Sequence, residues 1–368
     1  MLQFTSTSHR KILQLIRMNQ QISGAELSRL TSLRASTVGY ILQHLNERAL
    51  IDCFGYGKTT HKGGKKPLLW GINESAGYLI GMEVLRNQIR GVIASLSGKM
   101  VLRVEKDFQQ IHDKNITARV SQIINEMIRE ADIQKHEILN TTIAIPGIID
   151  VHQEHILYSA VLDISNFDLA GPVSNETGIE THLINDANAG ALSDQWYTQM
   201  GPQETSNHII YINYNQAATE MGLGIILNNR LYTGAKGTAG ELLSNIPAIE
   251  EQFMTDKSAP KISLIDLYYK QLEGDALAAG FIHQINDYLR KEVSRLIGLF
   301  NPQRIILGGE ISSCQGWPEK LLIPAVKEYI NQNTRFSLYI PEIKFSPFGI
   351  FSVALGATAY TLSKELNV

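Results

Sequence analysis

Only two cysteines, Cys53 and Cys314, occur in 368 residues. That excludes a disulfide framework and any cysteine-rich zinc site, and it fits a reducing cytoplasm. No apolar run approaches the roughly 18 residues of a membrane span. The opening MLQFTSTSHRK also lacks the apolar stretch of a secretory signal, so a cytoplasmic protein with no membrane contact is expected. Glycine is missing where a phosphate cradle would need it. The bend Leu85-Arg86-Asn87-Gln88, between the apolar runs LIGMEV and IRGVIAS, contains none. Acidic residues are scarce at the front. Residues 1–70 hold Glu26, Glu47 and Asp52 against ten Lys or Arg, a balance of +7, whereas residues 71–368 carry 23 basic and 33 acidic residues, a balance of −10. A basic head on an acidic body points to a polyanion-binding module joined to something else.

The head has a readable pattern. Ile12, Leu13, Leu15 and Ile16 form the apolar stripe of a first helix. SGAELSRL opens a second with Ser23 and, three residues on, Glu26, the capping box that satisfies loose backbone donors; Leu27 and Leu30 form its apolar side. After TSLRA comes STVGYILQHL, with Val38, Ile41, Leu42 and Leu45 at i, i+3, i+4 and i+7. Ser36, Thr37, Tyr40, Gln43 and His44 remain on or near the outer face, and Arg34, Ser36, Thr37, Tyr40 and Gln43 are the candidates to reach base edges. Two short helices joined by a tight turn, the second with a polar outer face, make a helix-turn-helix. LIDCFGYG and PLLWGI then read as two strands around KTTHKGGKK, a glycine-hinged wing carrying Lys58, Lys62, Lys65 and Lys66. Such lysines neutralise phosphates while the helix face reaches base edges. The competing reading is a small helical bundle that binds protein.

The body echoes itself. YLIGMEV…IRGVIASLSGKMVLRV and HIIYINY…MGLGIILNNRLYTG each give strand, turn, strand, short polar turn and third strand, followed by helical sequence. TTIAIPGIID is a buried strand ending at Pro146-Gly147, THLINDANAGALSDQWY is a strand breaking into a helix at Asn185-Asp186, and PQRIILGGEIS is a strand ending in glycines. Two similar α/β halves imply a ligand cleft between them.

These segments, in this order, resemble the ROK family of repressors and sugar kinases over nearly the whole chain: ISGAELSRLTSLRASTVGYILQHLNERALI, KGGKKPLLWGI, AIPGIID, LINDANAGAL, GLGIILNNRLYTGAKGTAGEL and NPQRIILGGEIS. The resemblance implies an α/β protein with an N-terminal winged helix-turn-helix, residues 1–72, followed by a two-lobed actin-like ATPase (ROK) domain, residues 73–368. Its lobes would span about 76–186 plus a C-terminal helix at 350–368, and 187–349. It also implies a homodimer or homotetramer, double-stranded operator DNA as partner, and a sugar or sugar phosphate as effector. Gly147, Asn185, Asp186 and Glu241 occupy the effector-binding positions.

Several positions depart from the family's kinases. Where those carry D-x-G-G-T, this chain has Glu83-Val84-Leu85-Arg86-Asn87, and Glu220 replaces a glycine of the second phosphate turn. Side chains there fill space that bare backbone must occupy, and a carboxylate repels a triphosphate. Asp186 stands at the position of the kinase base, a vestigial one if no nucleotide binds, so no catalytic residue is expected. Either Asp186 touches the ligand or Asn185-Asp186 simply caps the following helix. The zinc-ligating histidine of G-E-x-G-H is Ser244 here, and NIPAIEEQFMTDKSAP replaces the cysteine cluster, so neither zinc nor another cofactor is expected. Glu250 or Glu251 stands in for a final sugar contact, and His152 and His155 read as a solvated loop rather than a metal pair.

Three functions follow from these residues: a sugar-responsive DNA-binding repressor, a sugar kinase with a fused DNA-binding head, and a regulator with a dead cleft controlled by a protein partner. The first predicts that Lys62→Ala weakens binding to all DNA sequences alike and flattens the slope of log K against log salt by about one unit. A loss confined to one DNA sequence, read by fluorescence anisotropy across a salt series, would contradict the wing assignment.

Overall fold

The computed structural model describes residues 6–57, 66–150, 152, 154–198, 206–214, 221–242, 263–333 and 339–366. At the front lie α1 (Thr7–Asn19), β1 (Ile22–Ser23), α2 (Gly24–Thr31), α3 (Ala35–Glu47), β2 (Ile51–Tyr56) and β3 (Leu68–Ile72). The strands form an antiparallel sheet in the order β1-β3-β2. Ser23 caps α2 through the expected reciprocal bonds with Glu26, and Ser32, in left-handed geometry at φ 58°, ends it sharply. Val38, Ile41, Leu42 and Leu45 of α3 pack with Ile12, Leu13 and Ile16 of α1 and Leu27 of α2. Leu30, expected on the inner side of α2, is 45% exposed. Three residues beyond Leu27 it is turned about 60° around the axis, enough to leave the narrow seam of so short a helix. Lys58, Lys62 and Lys65 lie outside the described residues, and Lys66 is exposed.

Two larger sheets form the body. In the first, β4 (Tyr78–Val84), β5 (Gln88–Ser95), β6 (Met100–Asp107), β7 (Ile138–Ile145) and β11 (Thr181–Asn185) stand in the order β11-β7-β4-β5-β6. In the second, β12 (Ile209–Tyr214), β13 (Met221–Leu227), β14 (Arg230–Leu231), β16 (Arg304–Gly309) and β17 (Glu342–Phe345) stand in the order β14-β13-β12-β16-β17, with β15 (Glu241–Leu242) paired to β13. Both repeat one plan: a hairpin and a third antiparallel strand on one side, two parallel strands on the other. Parallel pairing requires a crossover, supplied in the first half by α4 (Ile116–Glu130) and in the second by α7 (Leu264–Leu272) and α8 (Ala276–Phe300). The echo between the two meanders is therefore a duplicated topology. Sequence reasoning missed the small sheet of β8 (Ile148–Asp150), β9 (His155–Ser159) and β10 (Ile164–Asp168), inserted before α5 (Ala170–Thr177).

Helices α6 (Asp186–Tyr197) and α10 (Ser352–Leu366), the latter following α9 (Ile323–Asn333), run against each other between the sheets. A division of lobes at 186/187 assigns α6 to the second lobe. The helix in fact packs on β12 and β13 of the second sheet and on α10, which itself lies on β4, β5 and β7 of the first. Small residues permit this closeness. A Cβ on Gly356 of α10 would fall 1.7 Å from the Ala189 carbonyl oxygen, and one on Gly81 of β4 would fall 1.9 Å from the Ala354 oxygen. Gly356→Ala is thus expected to destabilise the chain by about 3 kcal/mol, the upper range for overpacking. An unchanged urea midpoint would show that the helices do not meet this way.

Candidate functional site

The corner where β11 becomes α6 gathers the polar groups of the cleft. Asn185 is the helix cap: its Oδ1 accepts from the Asn188 N–H at 3.0 Å, and its Nδ2 donates to the Gly147 carbonyl at 3.0 Å. Gly147 is fixed by sterics, since at φ 133° a Cβ would sit 2.3 Å from the Tyr158 oxygen. Capping thus occupies Asn185 and leaves Asp186 for another task. Asp186 is 6% exposed. Its Oδ1 accepts from the Ala187 N–H and its Oδ2 from Asn213 Nδ2, both at 2.8 Å. Burial pushes its carboxyl above the ordinary range, and these hydrogen bonds only partly oppose that.

Asn213, which sequence reasoning missed, comes from β12 of the opposite sheet. The signal was present: a lone amide in IIYINY, every residue of which is buried. Asn213 Oδ1 and Asn188 Oδ1 are buried without a hydrogen-bond partner among the described residues. Unpaired acceptors of this kind cost about 1–3 kcal/mol each until a donor, from water or from a ligand, reaches them. Glu241 is exposed on β15 and pairs in register with Gly222, whose ideal Cβ lies 3.9 Å from Asp186 Oδ1, so its backbone borders the same corner. Glu220, Ser244, Glu250 and Glu251 lie outside the described residues.

The hairpin between β4 and β5 is filled by protein. Glu83 is fully buried, with Arg90 Nη1 at 3.2 Å, and Arg90 Nε donates to Glu105 Oε1 at 3.0 Å. Burial alone would depress the Arg90 pKa, but Glu83, Glu105 and Glu310 together more than offset it. At the bend Leu85 is buried and its N–H donates to the Gln88 carbonyl at 2.8 Å, while Arg86 Nε donates to the Val161 carbonyl at 3.0 Å.

On the front unit, Arg34, Ser36, Thr37, Tyr40 and Gln43 are all exposed along α3. Gln43 Nε2 donates to Glu47 Oε1 at 2.9 Å, and Tyr40 stacks on His44 with ring centroids 6.5 Å apart. His9 meets His44 edge-on at 5.0 Å, and burial, then the charges of His44 and Arg48, lower its pKa. His155 sits on β9, its Nε2 3.0 Å from Asn166 Oδ1. No trio of potential metal ligands occurs among the described residues. Cys53 is exposed on β2 and Cys314 is buried, its thiol pushed up to about 12 by burial, and residues 243–262 contain neither Cys nor His. A thiolate-bound zinc does not fit this donor set.

The model of the ROK family matches residues 79–243 and 243–364. The chain belongs to the ROK family. It is 25% identical to a xylose repressor of Caldicellulosiruptor bescii over 97% of this chain and 95% of that one. It is 21% identical to an N-acetylglucosamine repressor of Escherichia coli O157:H7 over 87% and 83%. A solved ROK family transcriptional regulator, a homologue of the E. coli MLC protein, superposes with a TM-score of 0.75 at 20% identity over 98% of this chain and 97% of its own. A ROK glucokinase from Streptomyces griseus, solved with glucose and AMPPNP, gives 0.62 at 17% over 77% and 99%. These likenesses show the fold. Among the described residues no helix is long and apolar enough to cross a membrane.

Because burial holds the folded Asp186 carboxyl above its unfolded value, ionising it costs more in the folded chain, and that cost grows as pH rises through the elevated pKa. Asp186→Asn is expected to raise the urea midpoint at pH 7, its new amide donating to Asn213 Oδ1 once the Asn213 amide flips. The gain shrinks as pH falls toward the ordinary aspartate value of about 3.9. A variant less stable than wild type at pH 7 would refute the desolvated carboxylate.

Proposed function

We propose that this chain is a DNA-binding transcriptional regulator of carbohydrate genes whose kinase-like cleft senses a sugar and transfers no phosphate. One observation carries the reading. The glucokinase neighbour accounts for 99% of its own length yet only 77% of this chain, whereas the regulator neighbour spans 98% of it. What the kinase lacks is a front unit, and here residues 1–70 carry a balance of +7.

In this reading residues 1–72 are a winged helix-turn-helix and residues 73–368 the effector domain. Helix α3 enters the major groove, with Arg34, Ser36, Thr37, Tyr40 and Gln43 facing base edges, and Lys58, Lys62, Lys65 and Lys66 of the wing contact phosphates. A homodimer or homotetramer in the cytoplasm holds a palindromic operator. The acceptor-rich corner of Asp186, Asn213 and Asn188 suits the hydroxyl groups of a sugar or sugar phosphate, with Asn185, Gly147 and Glu241 shaping it. Nucleotide chemistry fits poorly. Leu85 and Arg86 stand where a phosphate would need bare amides, and displacing Arg90 from Glu83 would strand a buried charge at about 3–5 kcal/mol. No cofactor is required.

The sugar-kinase reading retains one favourable observation, the buried Asp186 at the base position, since such a carboxylate can take a hydroxyl proton. A panel of D-xylose, N-acetylglucosamine and their phosphates decides. At least one is expected to raise the melting temperature and to weaken binding to an operator selected from random DNA by about tenfold, or 1.4 kcal/mol. ATP-dependent phosphorylation of any of them, abolished by Asp186→Asn, would establish the kinase instead. DNA affinity that no sugar changes would favour control by a protein partner.

A further inference from the structure

Arg17 of α1 is 3% exposed, a cation taken out of water at the junction of the front unit with the body. Its Nη1 donates to the Trp196 carbonyl at 3.1 Å and its Nε to the Leu96 carbonyl at 3.2 Å. The guanidinium lies over the rings of Trp196 and Tyr197, 5.0 and 5.1 Å from their centroids, and Tyr197 in turn hydrogen-bonds Thr358 of α10. A leucine would anchor α1 at lower desolvation cost. What the guanidinium adds is direction, because its planar fork binds only where two carbonyls and two rings hold set positions.

Those positions belong to different bodies. Trp196 and Tyr197 form the last turn of α6, whose free carbonyls and negative dipole end attract a cation. Leu96 follows β5 on the first sheet. The other end of α6, about 15 Å away, carries Asp186, bonded to Asn213 of the second sheet. Between the two ends, the close approach of Gly356 to Ala189 seats α10 directly against α6. Beside the junction lies a cavity of about 340 Å³ lined by Arg17, Gln20, Phe54, Ile72, Ser97 and Lys99, which leaves α1 room to shift.

We propose that Arg17 is the pin by which the state of the cleft reaches the DNA-facing helices, with α6 as the rigid arm between them. This rests on the regulator reading above. Asp186 and Asn213 gate the arm at one end, and the Arg17 fork reads its displacement against Leu96 at the other.

Hydrogen exchange on the full-length chain tests this without any ligand. Asn213→Ala breaks the bond between the second sheet and the start of α6. It is expected to change the exchange of α1 amides by about fivefold, the low end of allosteric couplings. In an Arg17→Lys background, which keeps the charge but loses the fork, the same change leaves α1 unmoved. Trp196→Phe, which keeps the carbonyl and weakens the ring contact, gives an intermediate response and serves if Arg17→Lys does not fold. An equal α1 response in all backgrounds, or none in the wild type, overturns the proposal. With D-xylose and N-acetylglucosamine as probes, Arg17→Lys is expected to keep the sugar dissociation constant within about twofold of wild type while losing most of the roughly tenfold effect on DNA affinity. Wild-type-sized coupling in Arg17→Lys also overturns it. If neither sugar binds the wild type, the sugar reading fails and the exchange arm alone decides the pin.

Discussion

Helices α6 and α10 meet with almost no side chain between them: the Ala189 carbonyl occupies the space a Cβ on Gly356 would need. Much of the rest depends on that contact. It seats α6 between two sheets of identical topology, so that Asp186 at its start faces Asn213 of the second sheet and Trp196 at its end holds Arg17 of the front unit. Larger residues at 189 or 356 would force the helices apart, and both ends of α6 would lose their partners together.

The two ends use opposite electrostatic conditions. At the start, a carboxyl group sits in a desolvated corner where ionisation comes at an unfavourable cost. At the end, a buried guanidinium sits on helix carbonyls and aromatic faces, a cation spent on geometry. Between the β4 and β5 strands the arrangement differs again: the buried Arg90 bridges two carboxylates, Glu83 at 3.2 Å and Glu105 at 3.0 Å.

Much of the architecture was legible in the sequence because it rests on local rules. The capping box at Ser23 and Glu26, the apolar spacing of Val38, Ile41, Leu42 and Leu45, and the two meanders each announce themselves within about 30 residues. Leu30 misled because an eight-residue helix has too narrow a buried seam for apolar spacing alone to place it. The cleft was half legible. Asn185-Asp186 showed as a pair at a strand-to-helix break, but the Gly147 carbonyl that orients the capping amide of Asn185 lies 38 positions away. Asn213 and Arg17 were overlooked because their partners are 27 and 179 positions distant, and separations of that size leave no periodicity to detect.

The buried pair at the hairpin also limits how this sequence can drift. Removing Glu83 first leaves a buried Arg90 hydrogen-bonded to the partly exposed Glu105. Removing Arg90 first leaves a fully buried carboxylate instead. Either intermediate forfeits about 3–5 kcal/mol of a total that for such chains is about 5–15. Substitutions arriving one at a time therefore meet a valley in both directions, so Glu83 and Arg90 are coupled positions that change together or not at all.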